Sequence, residues 1–175
     1  MILILEKIYY FLGVLMPYSF GLGIIGFLIF LVTNSIGNLK NNEVKLKNIG
    51  ILMIVQVFFL GFVVIIIQSN LTNRIRNEFT DIIKDKRTII FQENNSYKNL
   101  SSKEIKNELL KVKNFAPHHS HPENELKIKV SSIYGNFTII LAQDSNKKDE
   151  FWIFSSKYKF STDNEIGRIK SELFK

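Results

Sequence analysis

Two long apolar segments occupy the first seventy residues of the chain, and no segment like them follows. They run from about Ile8 to Val32 and from Ile49 to Ile67, and neither contains a charged side chain. Because a helix rises about 1.5 Å per residue, roughly 20 apolar residues cross the hydrocarbon core of a bilayer. We therefore expect residues 1–70 to form a two-helix transmembrane hairpin.

The polar residues after the second segment do not end its helical pattern. Leu71, Ile75, Phe79 and Ile82 recur at spacings of four, four and three, which is the period of one helix face. The pattern predicts that the second helix continues over residues 71–86 as an amphipathic stalk.

Beyond the stalk the apolar period becomes shorter. Leu126, Ile128 and Val130 alternate with polar residues, which is typical of a strand with one buried face. Similar short runs predict further strands, and polar turns separate them. The predicted strands are residues 88–92, 126–130, 137–142 and 151–154.

Two helix starts interrupt or follow these strands. Ser101 and Glu104 have the spacing of a capping box, and so do Thr162 and Glu165. The first pair predicts a helix between the first two strands, and the second pair predicts a helix at the end of the chain. Residues 87–175 are therefore expected to form a small soluble α+β domain, an antiparallel sheet with helices on one face.

Small and polar residues mark the two apolar segments. Gly21, Gly23 and Gly26 follow Ser19 in the first segment, and Gln56 lies within the second. Small residues at such spacings allow helices to approach closely, and an amide can donate hydrogen bonds between helices. Two alternatives are open: an oligomerising or pore-lining face, or packing between the two helices of one chain.

The chain is basic, with a formal charge of +7, and it contains no cysteine. The charge suits an anionic partner such as lipid headgroups or phosphate, although it also suits plain solubility. The absence of cysteine excludes disulfides and a thiolate nucleophile. Basic residues flank both ends of the apolar segments, and the larger number on the terminal side favours a cytoplasmic soluble domain. On the terminal side these are Lys7, Arg74, Arg76, Lys84, Lys86 and Arg87, and in the connecting loop they are Lys40, Lys45 and Lys47.

All three histidines of the chain fall within four positions, at His118, His119 and His121. With Glu123 or Glu125 they could bind a metal, although the spacing matches no strong metal-site motif. Alternatively, this proline-bounded loop could bind a phosphate or a base, or it could be a rigid turn without a ligand.

A second candidate region is basic and aromatic. Lysines alternate along one predicted strand, two more follow the aromatic segment Phe151–Phe154, and an arginine lies near the start of the predicted last helix. Aromatic rings stack on bases, while Lys and Arg bind phosphates; the alternative is an ordinary core and a solvated strand face. With the histidine loop, the candidate ligand-binding residues are His118, His119, His121, Lys127, Lys129, Lys157, Lys159 and Arg168.

The sequence contains no P-loop, no dinucleotide fingerprint and no hydrolase nucleophile elbow. Three classes of function remain: a membrane-anchored sensor-effector, a membrane immunity or inhibitory protein that acts by contact with a protein partner, and a metal-dependent enzyme at the membrane surface. We expect a protein that is not an enzyme.

The layout resembles the small membrane effectors of type III CRISPR antiviral systems. The matching elements are Ile8–Val32, Ile49–Ile67 and the basic domain that begins at Leu71. The resemblance implies a multi-pass protein of the inner or cell membrane, whose cytoplasmic domain binds a cyclic oligoadenylate and which forms a homo-oligomer. It implies no cofactor and no binding of long nucleic acids. The assignment of ligand contacts to particular residues rests on their chemistry and not on this resemblance.

Overall fold

The chain divides into two compact units, Met1–Leu71 and Thr72–Lys175. The computed structural model describes residues 1–35, 41–92, 100–115 and 119–174, and three α-helices, one short 3₁₀ helix and five strands lie within these ranges. The elements are α1 Ile2–Asn34, α2 Asn41–Lys84, β1 Ile89–Gln92, α3 Ser102–Leu109, β2 Pro122–Ser132, β3 Gly135–Asp144, β4 Glu150–Ser155 and β5 Gly167–Lys170.

Helices α1 and α2 are both long and apolar enough to cross a membrane. Most of their large apolar side chains are exposed rather than buried in protein. The prediction of two such helices is confirmed. Helix α2 also extends beyond the second apolar segment, because it runs without a break to Lys84.

Glycines allow α1 and α2 to pack closely within the first unit. A Cβ atom added to Gly26 would lie 2.6 Å from the carbonyl oxygen of Gly50, and one added to Gly23 would lie 2.6 Å from Cγ2 of Val57. Gly21, in contrast, has no atom within 4 Å of such a Cβ position. Two of the three predicted small residues therefore serve packing inside one chain.

The polar residues of the two helices also pair with each other. The Gln56 Nε2 group donates to the carbonyl oxygen of Ser19 at 2.9 Å, and Ser19 Oγ donates to Gln56 Oε1 at 3.0 Å. An apolar environment makes an unsatisfied amide costly, so this pairing removes a penalty that either residue would otherwise carry. Of the two alternatives for Ser19 and Gln56, the structure has the contact within one chain.

The second unit is built on a five-stranded antiparallel sheet in the order β1-β2-β3-β4-β5. In β2 the alternation seen in the sequence is preserved, with Leu126, Ile128 and Val130 buried and Lys127 and Lys129 exposed. Since alternate residues of a strand point to opposite faces, one face of the sheet forms the core and the other faces outward.

Helix α3 and the last turns of α2 supply the helical half of this core. Their buried apolar residues are Ile75, Phe79, Ile82, Ile83, Ile105 and Leu109. Arg76 Nε donates to the carbonyl oxygen of Ile166 at 3.0 Å, and the Tyr158 hydroxyl donates to Glu78 at 3.1 Å. The last turns of α2 therefore pack as part of the sheet-containing unit. The predicted capping box of Ser101 and Glu104 is present at the start of α3.

The predicted helix at the end of the chain is wrong. A short 3₁₀ helix, Phe160–Thr162, is followed by strand β5. Ile166 and Ile169 are both buried, and Ile169 lies opposite Phe151 of β4. Pairing with an open sheet edge buries both isoleucines, and this tertiary gain outweighs a local capping signal. Glu165 does not cap a helix; it forms an ion pair with Arg168.

Candidate functional site on the outer sheet face

The outward face of the sheet, called here the outer face, carries lysines and aromatic rings side by side. Strand register fixes which residues are neighbours, because residues directly opposite each other on adjacent strands have Cβ atoms about 5 Å apart. Three rows cross the sheet: Glu125–Ala142–Trp152–Arg168, Lys127–Ile140–Phe154 and Phe91–Lys129–Thr138.

A groove of about 520 Å³ lies over the first two rows. Trp152 and Phe154 line it, and their rings are stacked with centroids 6.5 Å apart and planes inclined by 15°. Ile140 lies opposite Phe154 and also lines the groove. This aromatic groove has the size of a small-molecule site, and Trp152, Phe154 and Ile140 give it an apolar base. Its other lining residues are Pro122, Glu125, Ser155, Ser156, Ser161, Thr162, Asp163 and Glu165.

A second depression, of about 470 Å³, lies beside the third row. Phe91, Lys129 and Thr138 line it, and Ser156 lines both depressions. The two depressions are therefore neighbours on one face, and together they provide an extended surface rather than a single enclosed pocket.

Carboxylates border the aromatic groove on two sides. Glu125 and Asp163 are exposed, and neither side-chain carboxylate has a hydrogen-bond or ion-pair partner among the residues that the structure describes. Glu165, in contrast, holds Arg168 at 2.7 Å. A ligand in this groove would thus meet aromatic rings and acceptors that carry negative charge.

Arg168 lies at the end of the first row and is buried among carboxylates. Its guanidinium group lies 3.1 Å from Glu150, 3.8 Å from Asp144 and 3.7 Å from the ring centre of Trp152. Only 4% of its side chain is exposed. The sequence suggested a phosphate-binding cation at a helix start, whereas the observed contacts make Arg168 a structural ion that holds the edge of the groove.

Asp144 is the hydrogen-bond centre of this cluster. Burial raises the pKa of its carboxyl group, but donors from Ser120, the Lys147 amide, Trp152 and the Asn146 amide outweigh burial and hold the pKa far below its usual range. For Arg168, burial lowers the pKa, whereas the pairs with Glu165 and Glu150 raise it above its ordinary value. Both groups therefore remain charged, as a buried pair with satisfied partners does.

The described part of the histidine loop packs beside the β3–β4 turn. Asn146 Nδ2 donates to the carbonyl oxygen of His119 at 2.6 Å, and the His121 amide donates to Ser145 Oγ at 3.1 Å. The His121 imidazole lies 3.0 Å from Glu123, which also pairs with Lys148. His119 and His121 are both exposed. His118 falls outside the described residues.

Lys157 and Lys159 lie apart from the rows of the outer face. Lys157 Nζ is 3.5 Å from Glu78 of α2 and lies over the rings of Tyr134 and Tyr158, whereas Lys159 is exposed at the start of the 3₁₀ helix. The candidate residues named from the sequence are thus distributed over separate places. Lys129 lines the second depression, and Lys127 lies opposite Ile140, a lining residue of the aromatic groove.

No group of three or more His, Asp or Glu side chains suited to a metal ion occurs within the described residues. Comparison with known proteins finds no matching family model, and it finds no significant match among curated proteins or solved structures.

Sequence reasoning placed the lysines of β2 correctly but missed the groove beside them. Trp152 and Phe154 alternate with the buried Phe151 and Ile153, and this period-2 pattern was the available signal for an outward aromatic pair. Asp163 carried no such signal, because its place beside the groove depends on where the chain turns between β4 and β5.

Proposed function

We propose that this protein is a membrane-anchored sensor-effector whose soluble domain binds a cyclic oligonucleotide, such as a cyclic oligoadenylate. The observation that carries the proposal is the outer face, where Lys127 lies in one row with Ile140 and Phe154. Binding of such a ligand to several protomers would drive the hairpins to assemble and act on the bilayer. The same proposal places the soluble domain in the cytoplasm and the protein in the antiviral class that the layout resembles.

The chemistry of the outer face suits a nucleotide better than a simple anion. Bases stack on aromatic rings with about 1–3 kcal/mol per base, while lysines bind the phosphates. The aromatic groove offers Trp152 and Phe154 for stacking. Lys127 lies opposite its lining residue Ile140, and Lys129 lines the neighbouring depression. Two adjoining depressions suit a ligand with more than one nucleotide.

The dimensions of the two-helix hairpin support the proposal that the protein acts on the bilayer. In α2, the charged and polar residues Lys47 and Gln68 enclose an uncharged stretch of about 20 residues, or about 30 Å of helix, which equals the hydrocarbon thickness of a bilayer. Lys47 donates to Asn34 at 3.0 Å and lies 5.4 Å from the ring centre of Phe30, as expected of a lysine at a membrane boundary.

A cyclic ligand also suits an assembly of several chains. A ring with repeated nucleotides presents identical groups, so each protomer of a symmetric homo-oligomer can bind one repeat. Gating then requires that the ligand bind one arrangement of protomers more tightly than the other.

The test uses the full chain in lipid nanodiscs. Cyclic oligoadenylates from dinucleotide to hexanucleotide rings are titrated by calorimetry and by the emission of Trp152, the one tryptophan of the chain. We expect micromolar or tighter binding of at least one ring. Lys127→Glu and Lys129→Glu should each weaken it roughly tenfold or more, because a charge-assisted contact contributes about 1.5–3 kcal/mol.

The matched control is Lys103→Glu, which makes the same charge change on an exposed residue of α3. Absence of binding to every ring would overturn the proposal. Equal losses in the Lys127, Lys129 and Lys103 variants would show that overall charge, and not the outer face, sets the affinity.

A further inference from the structure

Strand β1, Ile89–Gln92, forms one end of the sheet and pairs with β2 on one side. Within the described residues, no other strand or isolated bridge pairs with β1. About half of the backbone N–H and C=O groups of such an end strand point away from the sheet, where another strand can pair with them. We propose that this side of β1, called here the open edge, pairs with the open edge of a second copy of this chain.

The side chains of β1 are apolar for a strand with an open edge. Ile89 and Phe91 alternate with the buried Ile90, so they point to the outer face, and they are 52% and 56% exposed. The strand contains no charged residue. Natural proteins usually protect an open edge with charged side chains, prolines or bulges. An open edge that instead carries two exposed apolar side chains is suited to pairing with another strand.

The opposite end of the sheet is less accessible to a further strand. Lys113 forms an antiparallel bridge with Arg168 of β5, and their backbones are joined by hydrogen bonds of 2.9 Å in both directions. A Cβ atom at Gly167 would lie 2.7 Å from the carbonyl oxygen of Lys113, so the chain passes close to this end. Pairing of β1 with β5 of the next copy, which would build an open filament, is therefore obstructed. Pairing of β1 with itself closes a dimer.

A copy of β1 is a complementary partner when the two strands run antiparallel with Ile90 on the two-fold axis. Residues directly opposite each other in an antiparallel pair have their side chains on the same face of the sheet. In this register Ile89 of each chain lies opposite Phe91 of the other, so the exposed side chains cover each other twice. Ile90, which is 4% exposed, lies opposite its own copy. Because β1 has no charged residue, the pairing brings no like charges of the two strands together.

The contact is small, and its size determines where it can form. Four backbone positions and two exposed apolar side chains per chain bury far less than the roughly 1,600 Å² of a standard interface. Anchoring in one bilayer raises the local concentration of copies, as a linker does for two binding modules. The inference therefore rests on the membrane anchor of the proposed function, and we expect the pairing in bilayers rather than in dilute detergent solution.

Cysteine crosslinking measures the register directly, because the chain has no cysteine of its own. Ile89→Cys and Phe91→Cys are made in separate full-length chains with different tags, which are reconstituted together in liposomes without nucleotide. Opposite residues have Cβ atoms about 5 Å apart, a separation that dibromobimane bridges. The mixed pair should therefore crosslink in severalfold higher yield than either variant with itself. Lys103→Cys, at an exposed position of α3, mixed with Ile89→Cys gives the background from random collisions.

Two lysine substitutions separate the open edge from the surface beside it. Ile133 lies in the turn between β2 and β3 and is 54% exposed. Ile133→Lys therefore matches Ile89→Lys in residue type, exposure and charge, but it lies off the open edge. Energy transfer between copies labelled at Lys103→Cys in liposomes should fall severalfold with Ile89→Lys and stay unchanged with Ile133→Lys. Emission of Trp152 checks that both variants are folded.

The outcomes separate this contact from the nucleotide proposal. Crosslinking of Ile89→Cys or of Phe91→Cys mainly with itself would show another register, and a mixed yield at the background level would show no pairing; either result overturns the inference. Equal losses of energy transfer in the two lysine variants would assign the association to charge or to the wider apolar surface, which also overturns it. No nucleotide is present, so failure here leaves the nucleotide proposal standing, and failure of every ring to bind leaves this contact standing.

Discussion

At the scale of single residues, Arg168 joins distant parts of the soluble domain through its side-chain contacts. Its partners Glu150 and Asp144 lie 18 and 24 positions earlier in the chain, and β5 pairing brings them together. Burying a charge removes it from water, which is costly unless partners compensate it. Glu150, Asp144 and Glu165, together with the indole ring, therefore define one orientation of the guanidinium group. The cluster thereby fixes the edge of the groove where Trp152 offers its ring.

We predict that Asp144→Asn destabilises the soluble domain by about 3 kcal/mol at neutral pH, the cost of breaking a buried pair. Asp144 Oδ2 accepts from both Ser120 Oγ and Trp152 Nε1, and an amide cannot accept both hydrogen bonds and keep those from the backbone. Urea unfolding of the full chain, followed by Trp152 emission, measures the loss. The exposed Asp81→Asn substitution is the control and should change the stability little.

The same residue predicts the acid sensitivity of the fold. The folded pKa of Asp144 is lower than its ordinary value of 3.8, so its contribution is complete above that value and is lost as the pH falls toward the folded pKa. Wild-type stability should therefore decrease between about pH 5 and pH 2, and Asp144→Asn should flatten that decrease. A parallel decrease in the variant would assign the acid sensitivity to other carboxylates.

At the scale of elements, the two apolar helices pack closely because glycines lie at their contact positions. Gly26 and Gly50 allow backbone-to-backbone contact, whereas Gly21 faces open space. The sequence predicted that small residues would allow close approach, but it did not show which of them face the partner helix. That choice depends on the rotation of each helix, and an apolar segment without charged residues has no polar face to indicate it.

We predict that Gly26→Val separates α1 from α2, because the new Cβ would lie 2.6 Å from the carbonyl oxygen of Gly50 and a backbone atom cannot easily move aside. The chain has no cysteine, so an engineered pair reports the contact. A Cβ at position 23 lies 3.8 Å from Cβ of Val57, the mean spacing in disulfides. Gly23→Cys with Val57→Cys should form an intrachain disulfide in membranes.

Adding Gly26→Val should reduce the yield of that disulfide severalfold, measured by maleimide mass-tagging of the remaining thiols. Gly21→Val introduces the same side chain into the same helix and should leave the yield unchanged. Equal yields in the two variants would contradict the close helix contact.

The elements of the second unit differ in whether neighbouring residues in the sequence are sufficient to predict them. The alternation in β2 and the capping box of α3 are encoded in neighbouring residues, and both were predicted correctly. Strand β5 was mistaken for a helix because its stability comes from distant partners. The Ile166 amide donates to the carbonyl oxygen of Ile153 at 2.8 Å, and Gly167 lets Lys113 approach. The groove depends on the same nonlocal pairing, so its shape could not be predicted from local sequence patterns.

At the scale of the whole molecule, composition separates the chain into two parts with different surfaces. The first unit exposes large apolar side chains along both helices, whereas the second buries its apolar residues beneath a polar surface with a few exceptions such as Phe91. A water-soluble protein rarely exposes so large an apolar surface. The contrast was visible in the sequence because it depends on average hydropathy and not on contacts.

Membrane orientation follows from charge and can be measured in the whole molecule. The terminal side of the hairpin and the start of the second unit carry more basic residues than the loop side, although Lys45 and Lys47 make the loop basic too. Since basic segments are retained in the cytoplasm, we predict a cytoplasmic second unit. Single cysteines at Lys45→Cys and Lys103→Cys, one on each side, report the orientation in the cysteine-free chain.

In intact spheroplasts a membrane-impermeant maleimide should label Lys45→Cys and leave Lys103→Cys unlabelled, and in inside-out vesicles the pattern should reverse. Detergent should expose both positions, which controls for burial of either thiol. The opposite pattern would place the outer face outside the cell, where it could not meet an intracellular cyclic nucleotide. Labelling of both cysteines in intact spheroplasts would mean that the hairpin does not cross the membrane, and the second unit would then need another route to any effect on the bilayer.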